Sequence, residues 1–476
     1  MKRGIGMSVT LRKPHKDLTE GNILQQIILF ALPLIATSVL QLLFNTADTI
    51  VVGRWGGDTE AEREIAIAAV GSCGAIINLV VNVFLGLSVG AGVCVAHAIG
   101  AKEFETVEKT VHTAVYTALI GGVLTTAVGL ALTPQLLGLI GVEQSILPEA
   151  ILYMRAYFCG MPAALLYNYC AAMLRASGDT ARPLGFLSIA GVANVILNLI
   201  MILVFKKGAL GVGVATAVSN YISCALIVLF LLKTTGPCHL DIKKIAIHKG
   251  PFKKILAIGL PAGIQSSLFS ISNVIIQSAL QSFQSATIVA GHTAASNVQG
   301  YIYTVMNSTA QSSMNFTGQH VGAKKYKRLK TVVLWHYLLV FVTGFSLSCS
   351  IFLLGKPLLN AFIPGNTAAI EVGMISLRLI GLPYFICGFL DVGSYTMRGF
   401  GKSIAPTAIS LLGACALRIV WIYTVFYPFY PDSIDVLYLS YPITWLVTAI
   451  AYVPFIIREF RKHKNEIEEP IETAQT

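Results

Sequence analysis

Two aspartates stand apart from the other acidic residues of this 476-residue chain because of where they fall. Of 23 acids, only Asp48 and Asp391 lie well inside long apolar stretches, while Glu149 and Glu371 sit at the ends of such stretches. A carboxylate surrounded by hydrocarbon is costly unless it faces a cavity, pairs with a cation, or binds a proton. Burial favours the protonated form and neighbouring donors favour the charged one, so a conformational change can load or release a proton or ion at such a group.

The residues around Asp48 extend this chemistry. Gln41 precedes it by seven positions and shares its helical face. Asn168, Asn194, Asn198 and Thr216 are further polar residues in the first half, with Asn194 and Asn198 one turn apart. Singly, each is helix-packing glue. Together with Asp48 and Gln41 they would form one oxygen-rich pocket, suited to a proton network or to Na+ (at Asp48, Asn194 and Asn198) rather than to a transition metal. Asp391 lies seven residues before Arg398 and is either half of an ion pair across two helical turns or a second functional site. Arg418 either lines an interior cavity or pairs with Asp391. Pro33 and Pro261 sit inside apolar helices, where a missing N–H makes each a static kink or a point of bending.

Several chemistries are absent from this pattern. His97, His292 and His320 have no metal-ligand spacing, and no transition-metal site is expected. No phosphate-binding loop, nucleophile elbow, zinc-protease helix or dinucleotide fingerprint occurs in a suitable context. ATP drive, an organic cofactor and enzymatic activity are therefore not expected. An integral membrane enzyme would need convergent catalytic groups, and interior His, Asp and Glu are scarce.

The elements that must hold these residues are transmembrane helices. The chain is 55% hydrophobic and 12% charged, with a mean hydropathy of +0.71. A span needs roughly 20 mostly apolar residues, which places spans 1 to 6 near 27–52, 66–92, 110–132, 149–173, 184–205 and 212–232. Spans 7 to 12 follow near 255–280, 290–316, 331–354, 369–396, 404–427 and 437–457. The segments near 90 and 316 are polar enough to line an interior. Asp48 then lies about 7 Å inside the outer end of span 1, at 1.5 Å per residue.

The net charge of +11 follows topology rather than nucleic acid. The N-terminus with Lys2, Arg3, Arg12, Lys13 and Lys16, alternate loops and the C-terminal tail hold 26 of the 34 lysines and arginines. The intervening loops, such as Gly53 to Glu64 with four acids, are acidic or neutral. This asymmetry places both termini in the cytoplasm of a multi-pass protein of the inner (plasma) membrane, with no cleaved signal peptide. Tyr427, Phe429, Tyr430, Tyr438, Tyr441 and Trp445 gather as an aromatic belt at the outer interface. Eight of nine cysteines lie in apolar runs and Cys238 lies in a polar loop, so no disulfide framework is implied.

An internal repeat organises the spans. Ala31-Leu32-Pro33 recurs as Gly259-Leu260-Pro261, and Gly100-Ala101-Lys102 as Gly322-Ala323-Lys324. Cys159-Gly160-Met161-Pro162 recurs as Ile380-Gly381-Leu382-Pro383, and Arg175, Gly178 and Pro183 as Arg398, Gly401 and Pro406. The expected fold is an all-α membrane protein of twelve transmembrane helices in two parallel-repeat six-helix lobes. The tails cover 1–26 and 458–476, the lobes 27–232 and 255–457, and a basic cytoplasmic linker 233–254. Substrate sites in such repeats lie between the halves. The position matching Asp48 in span 7 is Ile276, so only the first half looks equipped for ion coupling of that kind.

With these residues in view, the chain resembles the multidrug and toxic compound extrusion (MATE) family over roughly 20–460. The resemblance rests on Leu32-Pro33, Gln41 and Asn45-Thr46-Ala47-Asp48-Thr49-Ile50-Val51-Val52-Gly53. It extends to the Gly-Ala-Lys loop, Arg175-Ala176-Ser177-Gly178-Asp179 and Met397-Arg398-Gly399. It implies a monomeric antiporter in the lipid bilayer that exports organic, often cationic and amphipathic compounds against inward H+ or Na+. It also implies a coupling site at Gln41, Asp48, Asn168, Asn194, Asn198 and Thr216, with a bend at Pro33. Two departures are evident. Many relatives carry Asp where this chain has Asn198, and span 7 lacks the acid found in another bacterial branch, with Asp391 displaced by about one turn. The alternative is a flippase or exporter of a lipid-linked oligosaccharide, which would need a strongly basic central cavity.

Overall fold

The structure is a computed structural model that describes residues 17–463, and within them it contains helices and no strands. Lys2, Arg3, Arg12, Lys13 and Lys16, and the tail beyond His463, lie outside the described residues. Spans 1 to 6 are Ile23–Trp55, Glu60–Gly100, Phe104–Leu139, the pair Leu147–Cys159 and Met161–Ala176, Ala181–Val204 and Gly208–Lys233. Spans 7 to 12 are Lys249–Gln281, Ala286–Gly322, Tyr326–Leu353, Thr367–Gly399, Ile404–Phe429 and Ile434–Lys462. Nine of the described helices are long and apolar enough to cross a membrane, ten with the bent pair of span 4. Spans 7 and 8 complete the twelve. Their polar residues turn inward: span 7 buries Gln265, Ser267 and Ser272, and span 8 buries Ser312, Ser313, Asn315, Thr317 and Gln319.

The helices overrun the apolar windows because capping carries them beyond the hydrocarbon. Asn22 accepts from the Gln25 N–H at the start of span 1. Thr59 and Glu62 form a reciprocal capping box that starts span 2 at Glu60.

The repeat persists in the backbone. Lys102 and Lys324, the matched lysines of the Gly-Ala-Lys turns, both take a left-handed φ, of 59° and 56°. The matched Gly178 and Gly401 do the same, at 87° and 76°, where glycine has no steric cost. Span 4 bends by 45° at Gly160, just before Pro162. At the equivalent place span 10 loosens into a π turn over Leu377–Gly381 and a 3-10 turn over Leu382–Tyr384, around Pro383. By contrast, span 1 runs through Pro33 as one unbroken helix, and Thr37 Oγ1 donates to the Pro33 carbonyl at 2.7 Å.

An even number of spans puts both described ends on one face of the bundle, termed the base, with the opposite face termed the mouth. The lobes meet near the base. Span 2 carries Gly86 and Gly90, and span 7 carries Gly259 and Gly263; a Cβ on Gly86 would overlap the Gly263 backbone, and one on Gly90 the Ile255 and Gly259 backbone. Two small-xxx-small faces thus bring the helices into backbone contact. The repeat-related pair, spans 1 and 8, is joined instead by side chains: Ser308 Oγ donates to Ser38 Oγ at 2.9 Å, and Phe30 meets Phe316 edge to face. Closer to the base, His97 Nε2 lies 2.6 Å from the Gly399 carbonyl oxygen. Gln319 accepts from Leu18 N–H and donates to the Ala176 carbonyl. Toward the mouth, the last inter-lobe hydrogen bond among the described residues is Ser267 to the Leu79 carbonyl.

One expectation gains detail and another changes. Cys238 does lie in the loop after span 6, but it is buried there and its thiol donates to the Met173 carbonyl, because that connector folds back under the first lobe. His112 accepts from Asp241 N–H, and Lys244 pairs with Glu108 at 2.7 Å, which fixes that path. The aromatic belt, by contrast, is divided. Phe429 and Tyr430 are exposed, but Tyr438 is fully buried against His292, and Tyr441 and Trp445 line an interior cavity. Positions 438, 441 and 445 recur on one helical face, and that face of span 12 points into the lobe.

Candidate functional site

Phe44 and Gly191 set the first site. The Phe44 ring occupies the space that a Cβ on Gly191 would need, so spans 1 and 5 approach closely at that level. One turn beyond Phe44 on span 1 stands Asp48. Asn194 and Asn198 continue the Gly191 face of span 5, one and two turns on. Asn198 Nδ2 donates to Asp48 Oδ1 at 2.5 Å and to Asn194 Oδ1 at 3.3 Å. Both asparagines are buried and Asp48 is half-buried. The Asn198 carboxamide oxygen is buried with no hydrogen-bond partner. Immediately afterwards span 5 widens into a π turn over Ile200–Val204.

The remaining members of the expected cluster do not bond to Asp48 in this structure. Asn168 donates to the Ala164 carbonyl of its own helix and is half-buried. Thr216 is half-buried on span 6, and Gln41 is exposed on span 1, two turns from Asp48. No cluster of three or more His, Cys, Asp or Glu suited to a metal ion occurs among the described residues.

Asp391 belongs to a different place. A cavity of about 480 Å³ lies between the lobes, with Asn82 and Arg175 on its first-lobe wall and Gln265, Asn307, Asp391 and Arg398 on the other. Asp391 accepts from Asn307 Nδ2 at 3.0 Å, and the Tyr395 hydroxyl donates to Asn307 Oδ1 at 3.3 Å. The ion pair with Arg398 does not form: Arg398 turns to Gln265 Oε1, 2.9 Å away. Arg418 does not pair with Asp391 either. It lies 4.1 Å from the Tyr441 ring centroid, donates to Thr444, and lines the same cavity. Both arginines are held by neutral acceptors and aromatic faces already beside them on spans 7, 10 and 12.

The chain matches the MatE family model over residues 33–200 and 261–424, once in each lobe. It belongs to the MatE (MATE) family of transporters. Among curated MATE relatives, the probable multidrug resistance protein YoeA of Bacillus subtilis is 26% identical over 82% of this chain and 84% of its own length. The probable multidrug resistance protein NorM of Thermotoga maritima is 25% identical, covering 85% and 86%. A solved MOP-superfamily transporter from Pyrococcus furiosus superposes with a TM-score of 0.87 at 21% identity, over 95% of this chain and all of that one. This is a likeness of fold.

Within the MATE fold, three cavity residues escaped sequence reading. Asn307 and Gln265 carry no charge and look like ordinary packing residues in polar helices. Arg175 falls in the stretch counted as a basic loop, yet it lines the cavity. The repeat held a signal for it, since Arg175 and Arg398 occupy matched positions and both reach the same space. The same register shows that Asp391 stands where the first lobe has Asn168, each seven residues before its arginine.

Proposed function

We propose that this protein is a secondary active multidrug exporter, a monomer in the inner (plasma) membrane with both termini cytoplasmic, which moves organic compounds outward against inward H+ or Na+. The observation that carries the coupling is the Asn198 carboxamide. Its N–H donors are committed to Asp48 and Asn194, while its oxygen is buried without a partner beside the carboxylate. Such an oxygen-rich pocket, one positive group short, suits a proton carried by Asp48 or a bound Na+. Asn168, Thr216 and Gln41 join it in another state of the lobe, with Pro33 as the point where span 1 bends. Pro33 has no N–H for the carbonyl four residues earlier, so that turn already lacks one helical bond. Inter-lobe bonds concentrated near the base support alternating access, with this structure sealed on the terminal side. No cofactor is required beyond the coupling ion.

The test is efflux of two dyes, the cation ethidium and the anion carboxyfluorescein, from vesicles under imposed pH or Na+ gradients, comparing wild type with Asp48→Asn. Gradient-driven export should be lost while the variant still inserts and purifies as a monodisperse protein. Undiminished transport by the variant would sink the coupling assignment. The arginines in the central cavity favour one second reading, a flippase for a lipid-linked oligosaccharide; movement of such a lipid without dye export would support it.

A further inference from the structure

The central cavity carries a charge imbalance. Arg175, Arg398 and Arg418 line it, and Asp391 is the only carboxylate among its described lining residues. None of the three arginines makes an ion pair among the described residues. Arg398 and Arg418 are 5% and 3% exposed, and the Nε of each is buried without a hydrogen-bond partner. Their other contacts, to Gln265, Thr444 and the rings of Tyr395 and Tyr441, supply no negative charge. A guanidinium in a membrane interior is stabilised by a counter-charge, and its planar fork matches carboxylate or phosphate oxygens.

Position along the spans separates the arginines. Arg175 and Arg398 end spans 4 and 10 on the base side. Arg418 lies in mid-span 11, near an aromatic wall where Trp445 sits 4.9 Å from Tyr384 and 5.6 Å from Tyr441 between ring centroids. We propose that this cavity selects organic anions: a flat ring against the Tyr384–Trp445 wall, with oxyanion groups on Arg418 and Arg398. This rests on the reading of the protein as an exporter, whose substrate site would then be this cavity between the lobes, and it replaces the cation preference that family resemblance suggests.

The experiment is fluorescence anisotropy of two dyes, the anion carboxyfluorescein and the cation ethidium, titrated with full-length protein in phosphatidylcholine nanodiscs. No gradient is imposed, so loss of coupling at Asp48 leaves the result unchanged, and a failed anion preference leaves the coupling experiment intact. Wild type should bind carboxyfluorescein at least about tenfold more tightly than ethidium. Arg398→Gln and Arg418→Gln should each weaken it by about tenfold, the size of one lost charge-assisted hydrogen bond. Arg418→Lys should recover part of the loss. Asp391→Asn should tighten carboxyfluorescein binding, a gain that misfolding cannot produce. Equal or tighter ethidium binding, no carboxyfluorescein binding by wild type, or indifference to both glutamine substitutions would overturn the proposal.

Discussion

Gly86 of span 2 and Gly263 of span 7 face each other across the lobe boundary so closely that neither has room for a Cβ. With Gly90 and Gly259 they bring spans 2 and 7 into backbone contact across the lobe boundary, as Gly100 and Gly322 do for spans 2 and 8 nearer the base. The related pair of spans 1 and 8 relies on Ser38 and Ser308. The two seams are therefore equivalent by repeat but differ in kind.

Gly86→Ala should pry this seam apart. Overpacking at such a contact costs about 1–3 kcal/mol, read as a lower melting temperature. Cys94, 7% exposed and two turns closer to the base on the same span, should react faster with maleimide, as followed by peptide mass spectrometry. Gly71→Ala is the control, since an added Cβ there meets nothing within 4 Å. Equal melting curves for the two variants would contradict the seam.

The notch at Gly191 should matter to coupling although it touches no ion. Gly191→Ala drives the Phe44 ring outward and draws Asp48 from Asn198. A hydrogen bond to a charged group is worth about 1.5–3 kcal/mol, so gradient-driven efflux should fall by roughly 10- to 100-fold. Phe44→Leu in the same chain should restore much of it. Independent, additive effects of the two substitutions would show that the notch does not position Asp48.

Gln319 is a buried joint between the N-terminal segment, span 4 and span 8. Gln319→Ala leaves the Leu18 N–H and the Ala176 carbonyl without partners, at about 1–3 kcal/mol for each buried group. Hydrogen exchange at Leu18 should quicken markedly while exchange in the core of span 9 stays slow. Unchanged protection at Leu18 would remove the joint.

Tyr438 should behave as core, not as an interfacial anchor. It is fully buried, stacked on His292 and 3.2 Å from its Nδ1. Tyr438→Phe loses one hydrogen bond, about 0.5–1.5 kcal/mol, whereas Tyr438→Ala opens a cavity costing about 3–5 kcal/mol. Thermal melts of the two variants should separate accordingly, and similar melting temperatures would place the ring at the surface.

Much of the fold was legible because its causes are local or periodic. Apolar stretches long enough to span a bilayer, loops alternating in charge and four matched tripeptide-scale motifs state the span order and the repeat without reference to packing. Asp48 with Asn194 and Asn198 was legible for a similar reason: polar groups in apolar helices are rare enough to count. The sequence could not say which of six polar residues touch. Asn198 is 150 positions from Asp48, and their contact depends on how spans 1 and 5 rotate against each other. The Phe44 ring in the Gly191 notch sets that rotation, and helical periodicity does not encode it.

The sequence by itself determined a membrane protein of two repeated lobes with a lone carboxylate in the first, because hydropathy, charge and repeat register are properties of the chain alone. Tertiary structure decided the partners. It turned Arg398 to Gln265 instead of Asp391, laid Arg418 on Tyr441, and carried Arg175 from an apparent loop into the central cavity. The physical reason is that a guanidinium reaches any acceptor or aromatic face within a few ångströms. Which of these stands there is fixed only when separate spans dock.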